Sequence, residues 1–396
     1  MVQMDSRRRV FEAMNHGRPD RVPVMCQLAL GHYFLNTDYP PSEIWFDSST
    51  FAEALIEFQA RYGFDGVLVN LPGRPDNWRR YLSSASKQGG NEILTWPSGL
   101  VTVVGPDDNP QTFGPGKTPL ERADYKTVDV NDPATYRTPG YVWNTWHAPD
   151  IWDIDPDADL AGPASYPESF TAALRVARQL GPDVSVHVEV FSPFTHLLEL
   201  FGYEQALFAL IDESRTCHAL LDKFTGFVEA QVRLYGPCKP DAILVSSAFA
   251  GAGFISRQMY KEFVAPYEDR LYRTIAAQGV KSYVHTCGAI GDRLDLMAQT
   301  SVDGIDTLDP PPLGTVHLDQ AKAEYGDRFF FKGNLDAVNE MLNADDATFE
   351  QAVKNRLEIG KPGAGYILSS ACSVAPHVRP ERLKKMTALA HRFGRY

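Results

Sequence analysis

Apolar positions along this chain fall into two alternating rhythms. Short β-branched or aromatic runs read as strands: 21–28 (RVPVMCQL), 65–71 (DGVLVNL), 185–191 (SVHVEVF), 242–246 (AILVS), 281–285 (KSYVH), 304–308 (GIDTL), 328–333 (RFFFKG) and 365–369 (GYILS). Between them lie stretches with apolar residues at helical spacing, over 43–63, 168–180, 203–235, 256–278, 289–299, 317–325, 346–358 and 380–393. The first of these ends on Gly63, a helix stop. Strands that alternate with helices pair in parallel through right-handed crossovers. Eight such strands predict an α/β chain folded as a (β/α)8 TIM barrel. The alternative is an open doubly wound sheet, but no G-x-G-x-x-G follows a strand to support it.

The alternation breaks over 72–165, which is rich in Pro, Gly, Asp, Trp and Tyr, with one hairpin predicted at 92–104 (EILTWPSGLVTVV). That segment is too varied for a linker and is read as a cap inserted after strand 2, beside the barrel mouth. The expectation is one barrel domain over 1–396, and its 396 residues and 44% hydrophobic content suffice for a core of that size.

Composition narrows the function classes. The net charge of −12 argues against a nucleic-acid partner, since the only basic cluster is Arg7-Arg8-Arg9 on an amphipathic segment. No run approaches the ~20 apolar residues of a membrane span. The polar N-terminus lacks the apolar core of a secretion signal, which predicts a cytoplasmic protein with no membrane partner. Five irregularly spaced cysteines predict free thiols or metal ligands rather than a disulfide framework.

The candidate chemistry lies in YVHTCGAIGD (283–292). His285 ends a predicted strand, Cys287 lies just beyond it, and Cys372 lies just beyond the last strand. Barrel active sites sit at the C-terminal ends of strands. One imidazole and two thiolates make a three-ligand zinc set with an open fourth position, the arrangement of a catalytic site. The bland reading is a small buried cysteine and a histidine closing a strand. Glu189, flanked by Val188 and Val190, faces the barrel mouth in this reading, as a fourth ligand, a proton acceptor or an ion-paired carboxylate. Gln27, Asn70, Ser246 and Asn334 fall at strand ends and are expected to line a substrate pocket. His187 and His196 are read as structural, and Cys217 and Cys238 as inert.

Several segments resemble the uroporphyrinogen decarboxylase superfamily: MDSRRRVFEAMNHGRPDRVPV near the start, AGFISRQMYKEFVAPYEDRL (252–271), VHTCG, FKGNLDA (331–337) and the ending GYILSSACSVAPHVRPERLKKM. The resemblance implies a (β/α)8 barrel. True decarboxylases of that superfamily carry arginines after strand 1 that hold substrate carboxylates. Here that stretch reads CQLALGH (26–32), with Cys26 and His32 in their place. Its other branch, the corrinoid-dependent methyltransferases such as those of coenzyme M, carries His-x-Cys and a distant Cys as zinc ligands. His285, Cys287 and Cys372 match that pattern. The resemblance therefore implies Zn²⁺, a corrinoid such as methylcobalamin, free or supplied by a corrinoid protein, and a zinc-activated small thiol or related acceptor of the methyl group, other members acting on methyl-donor substrates. The competing readings are a metal-free decarboxylase-like lyase and an inactive scaffold for a corrinoid protein.

Overall fold

The computed structural model describes residues 3–137 and 158–396. Seven parallel strands form one curled sheet in sequence order: β1 (Gly66–Val69), β6 (Ser185–Phe191), β7 (Ala242–Ser246), β8 (Lys281–His285), β9 (Gly304–Thr307), β10 (Phe330–Leu335) and β11 (Tyr366–Ser370). Each agrees with a predicted strand. The numbers between belong to an antiparallel sheet inserted after β1: β2 (Ser84–Gln88), β3 (Asn91–Thr95), β4 (Val101–Val104) and β5 (Gln111–Phe113). The predicted hairpin is β3–β4, and the remainder of that insertion is more regular than its composition suggests. The part of the predicted cap over 138–157 lies outside the described residues.

The predicted first strand is a correction. Residues 21–28 touch β11 and its following loop only through isolated bridges, Val24 to Leu368 and Leu28 to Val374. Pro23 has no N–H to give to a ladder. The Val24 N–H goes to the Asp65 carboxylate (2.8 Å), while the Val24 carbonyl accepts from the Asp65 N–H (2.7 Å). The segment thus contacts both edges of the sheet without forming a strand. Asp65, fully buried, also accepts from Arg9 (2.6 Å), from Arg21 (2.7 and 3.0 Å) and from the Ser6 hydroxyl (3.0 Å), tying the N-terminal pieces to β1.

Side-chain alternation sorts the sheet into two faces. Val186, Val188, Val190, Ile243, Val245, Val284, Ile305, Phe331 and Leu368 pack outward against the helices. Met25, Leu68, Ala242, Leu244, Tyr283, Phe330 and Ile367 fill the inside, closed off by Val10, Ala13 and Met14 of the helix Ser6–Met14. These inner apolar residues cluster toward the N-terminal ends of the strands. Toward the C-terminal ends the inner positions turn polar, with Glu189, His285, Asp306 and Lys332, and there the candidate chemistry lies.

Helices follow the predicted order with finer breaks. Helix Ser48–Tyr62 starts at Asp47, whose carboxylate accepts from the Thr50 N–H (2.7 Å). It ends at Gly63, where φ of 70° favours glycine. The predicted helix 203–235 is two helices, Tyr203–Asp212 and Ser214–Tyr235. The predicted helix 256–278 is likewise split, into Arg257–Phe263 and Ala265–Ala277, with Pro266 in the first turn of the second. Among the described residues no helix is long and apolar enough to cross a membrane.

Candidate metal centre

β8 ends on His285, two residues before Cys287, and Cys372 follows β11 by two residues. The curl of the sheet brings these non-adjacent strands to a common point, and the three ligand atoms lie within 4.8 Å of one another. His285 Nε2 is 3.3 Å from Cys287 Sγ and 4.0 Å from Cys372 Sγ, and the two sulfurs are 3.8 Å apart. A tetrahedral ion with Zn–S near ~2.3 Å sets its sulfurs about 3.8 Å apart and each sulfur about 3.5 Å from the nitrogen. The donor set and its spacing fit zinc.

The far side of the imidazole is fixed. His285 Nδ1 faces Asp306 Oδ2 at 3.2 Å and Thr307 Oγ1 at 2.8 Å. An ionised carboxylate only accepts, so it holds the proton on Nδ1 and leaves Nε2 facing the two sulfurs. Asp306 Oδ1 in turn accepts from Lys332 Nζ at 3.0 Å, and both side chains are buried. Thr307 and Leu308 have φ of 78° and 56°, left-handed values that cost a residue with a Cβ roughly 1–3 kcal/mol each. The chain holds this strained pair at the end of β9, where the Thr307 hydroxyl meets the imidazole.

Charge is set by the same contacts. Burial opposes a positive imidazole, but the bonds to Asp306 and Cys372 outweigh it and push His285 up to about 10. The hydrogen bond between the two cysteines holds Cys372 well below the usual thiol range, and His285 adds to this. The same bond, with burial, keeps the proton on Cys287. A divalent ion held here would replace the protons of His285 Nε2 and Cys287.

Glu189 keeps partial solvent access on the inner face of β6. Burial raises it to about 7, against the opposing pull of His285 and a hydrogen bond with Ser246. Ser246 is the register partner of His285 on β7. Gln27 and Asn70 line a small internal space with Cys26, between the N-terminal segment and β1. Asn334 donates to the Leu308 carbonyl (2.8 Å) and accepts from Arg356 (3.1 Å) of the helix Asp346–Gly360. His32 binds Tyr62 (2.8 Å) and the Pro376 carbonyl (3.1 Å), and burial lowers it to about 4. His187 binds Tyr283 (2.9 Å) and Ser185 (3.0 Å) within the core. Burial pushes the Cys217 thiol up to about 12, as expected of an inert thiol.

Three residues escaped the sequence reading. Asp306 and Lys332 are charges inside apolar strand runs, and that oddity was the available signal. Asp309 accepts from the Gly288 N–H (2.6 Å), fixing the turn after Cys287, and burial raises it to about 6. Nothing in its spacing marks it.

Comparison with known proteins adds a lineage. The pattern of the family described as "Uroporphyrinogen decarboxylase (URO-D)" matches residues 137–393. Curated relatives include uroporphyrinogen decarboxylases from Vesicomyosocius okutanii, 28% identical over 47% of this chain and 52% of the relative, and from Bacillus velezensis, 30% identical over 44% and 46%. The match thus spans about half the length of these relatives. Among solved structures, a methyltransferase from Methanosarcina mazei aligns over 98% of this chain and 99% of its own, with TM-score 0.69 and 16% identity. At that identity the likeness is one of fold.

Proposed function

This chain belongs to the uroporphyrinogen decarboxylase (URO-D) family, and on that footing we propose that it is a zinc-dependent methyltransferase moving a methyl group between a protein-borne methyl-corrinoid and a small thiol. The observation that carries the reading is the convergence of His285 Nε2, Cys287 Sγ and Cys372 Sγ at the C-terminal ends of β8 and β11. These three would hold the ion and leave a fourth position for a ligand from solution. When bound, zinc would keep an incoming thiol ionised, and the corrinoid, arriving from outside the chain, would supply the methyl group.

The chain's own residues do the rest. Two cysteine sulfurs would offset the charge of a divalent ion, so that a thiol held beside it would stay electron-rich. Asp306 holds the Nδ1 proton and keeps the imidazole facing the ion. Glu189, at about 7, accepts the proton that the thiol sheds at its carboxylate and releases it to the solvent that reaches it. Asp309 keeps the Cys287 turn in place through the Gly288 N–H.

A metal-free decarboxylase is the second reading, favoured by the names of the curated relatives. Against it, Cys26 is a buried thiol and His32 is a buried neutral ring bonded on both nitrogens. Neither offers the cationic, bidentate partner that a polycarboxylate requires. Metal analysis, combined with methylcobalamin and a panel of thiols, separates the two. Zinc near one per chain with methyl thioether formed supports the proposal. Metal-free protein that releases carbon dioxide from uroporphyrinogen refutes it.

A further inference from the structure

We propose that Lys332 is a positioning residue of the metal centre: through Asp306 it fixes the ring of His285 with Nε2 turned toward the two sulfurs. The inference rests on reading the triplet as a metal centre. It is carried by a straight row across three neighbouring strands. His285 of β8 is in register with Asp306 of β9, and Asp306 is in register with Lys332 of β10. Their side chains meet on the inner face, Lys332 Nζ to Asp306 Oδ1 at 3.0 Å and Asp306 Oδ2 to His285 Nδ1 at 3.2 Å.

Stability alone does not account for this row. An ammonium and a carboxylate taken out of water are costly, and a packed apolar pair of similar volume usually serves a fold as well or better. Two inner neighbours of Lys332 take that apolar solution, Phe330 on the same strand and Ile367 opposite it. What the charged pair adds is direction. With one oxygen held by Lys332, Asp306 presents the other to Nδ1 in a single rotamer. Thr307 Oγ1, 2.8 Å from the same nitrogen, limits rotation of the ring from the other side. The imidazole is thereby oriented before any ion arrives, so binding loses less freedom.

The test measures metal affinity by competition with a chromophoric chelator, using Zn²⁺, and the sulfur-to-metal charge-transfer band of the Co²⁺-loaded protein. The variants are Lys332→Met and the double variant Lys332→Met/Asp306→Asn, with the fold checked by circular dichroism and thermal melting. The double variant leaves no buried unpaired charge, which keeps the experiment decisive where the single variant unfolds. Both folded variants are expected to bind Zn²⁺ about 10–100-fold more weakly than wild type, the range for a residue that orients a ligand. The Co²⁺ band should shift or weaken, a change that a purely structural role does not produce. Wild-type affinity and an unchanged Co²⁺ spectrum in a folded variant overturn the role of Lys332. Wild-type protein that binds no zinc overturns the metal reading itself, a separate outcome.

Discussion

Asp306 stands directly beside His285 in the register of β8 and β9, and its carboxylate reaches the imidazole nitrogen that faces away from the cysteines. A parallel sheet with regular alternation places the two side chains on one face, so the proposed ligand and the group that orients it follow from the same pairing. The loss of one thiolate should act differently from the loss of this partner.

Cys287→Ser and Cys372→Ser are each expected to abolish tight zinc binding while the protein stays folded, since both side chains lie at loops after strands and outside the apolar core. Metal content after gel filtration, with a circular dichroism spectrum, checks this. Full zinc occupancy in the double variant contradicts the assignment of ligands.

Zinc binding should release two protons near neutral pH. His285, pushed up to about 10, and Cys287, held protonated by its bond to Cys372 and by burial, both carry protons that the ion replaces. Cys372, held low, contributes none. The apparent affinity should therefore rise about 100-fold per pH unit between pH 6 and 8. Calorimetry in buffers of different ionisation enthalpy counts the protons directly, and a count near zero contradicts this proton inventory.

Glu268, on the helix Ala265–Ala277, gives a pH test of stability. It is buried, donated to by Tyr272 (2.9 Å), and raised to about 7, chiefly by burial. Its folded value lies above its unfolded one. Its favourable contribution is thus complete below pH ~4.5 and is lost as pH rises through about 7. Glu268→Gln should stabilise the protein by about 2–3 kcal/mol at pH 8 and by almost nothing at pH 4.5. Urea denaturation at the two pH values measures the difference.

Asp65→Ala should destabilise the fold by about 3–5 kcal/mol, because it leaves the buried Arg9 and Arg21 without their shared carboxylate. Hydrogen exchange should show residues 21–28 losing protection first. Equal protection in the variant contradicts the role given to Asp65.

The sequence made most of this legible where burial and period agree. Strands such as SVHVEVF declare both faces at once, valines outward and polar groups inward. The triplet was legible from residue type and strand-end position. RVPVMCQL misled because its composition is that of a strand, while Pro23 and the Asp65 carboxylate deny it a ladder. Asn334 shows a related limit: a strand end gives a position but no direction, and the sequence does not announce that its amide oxygen accepts from Arg356. Lys332 and Asp306 passed unnoticed because each is a lone charge in an apolar run, and their pairing depends on a register that only the folded sheet reveals.

The proposed chemistry requires that the triplet hold zinc and offer it to a thiol. X-ray absorption at the zinc edge, recorded with and without the thiol that supports methyl transfer, tests this most directly. The resting protein should show one nitrogen and two sulfurs from the chain, with Zn–S near ~2.3 Å. Addition of the thiol should raise the sulfur count to three. A zinc shell that stays at two sulfurs while methyl transfer proceeds would contradict the claim that the metal activates the thiol.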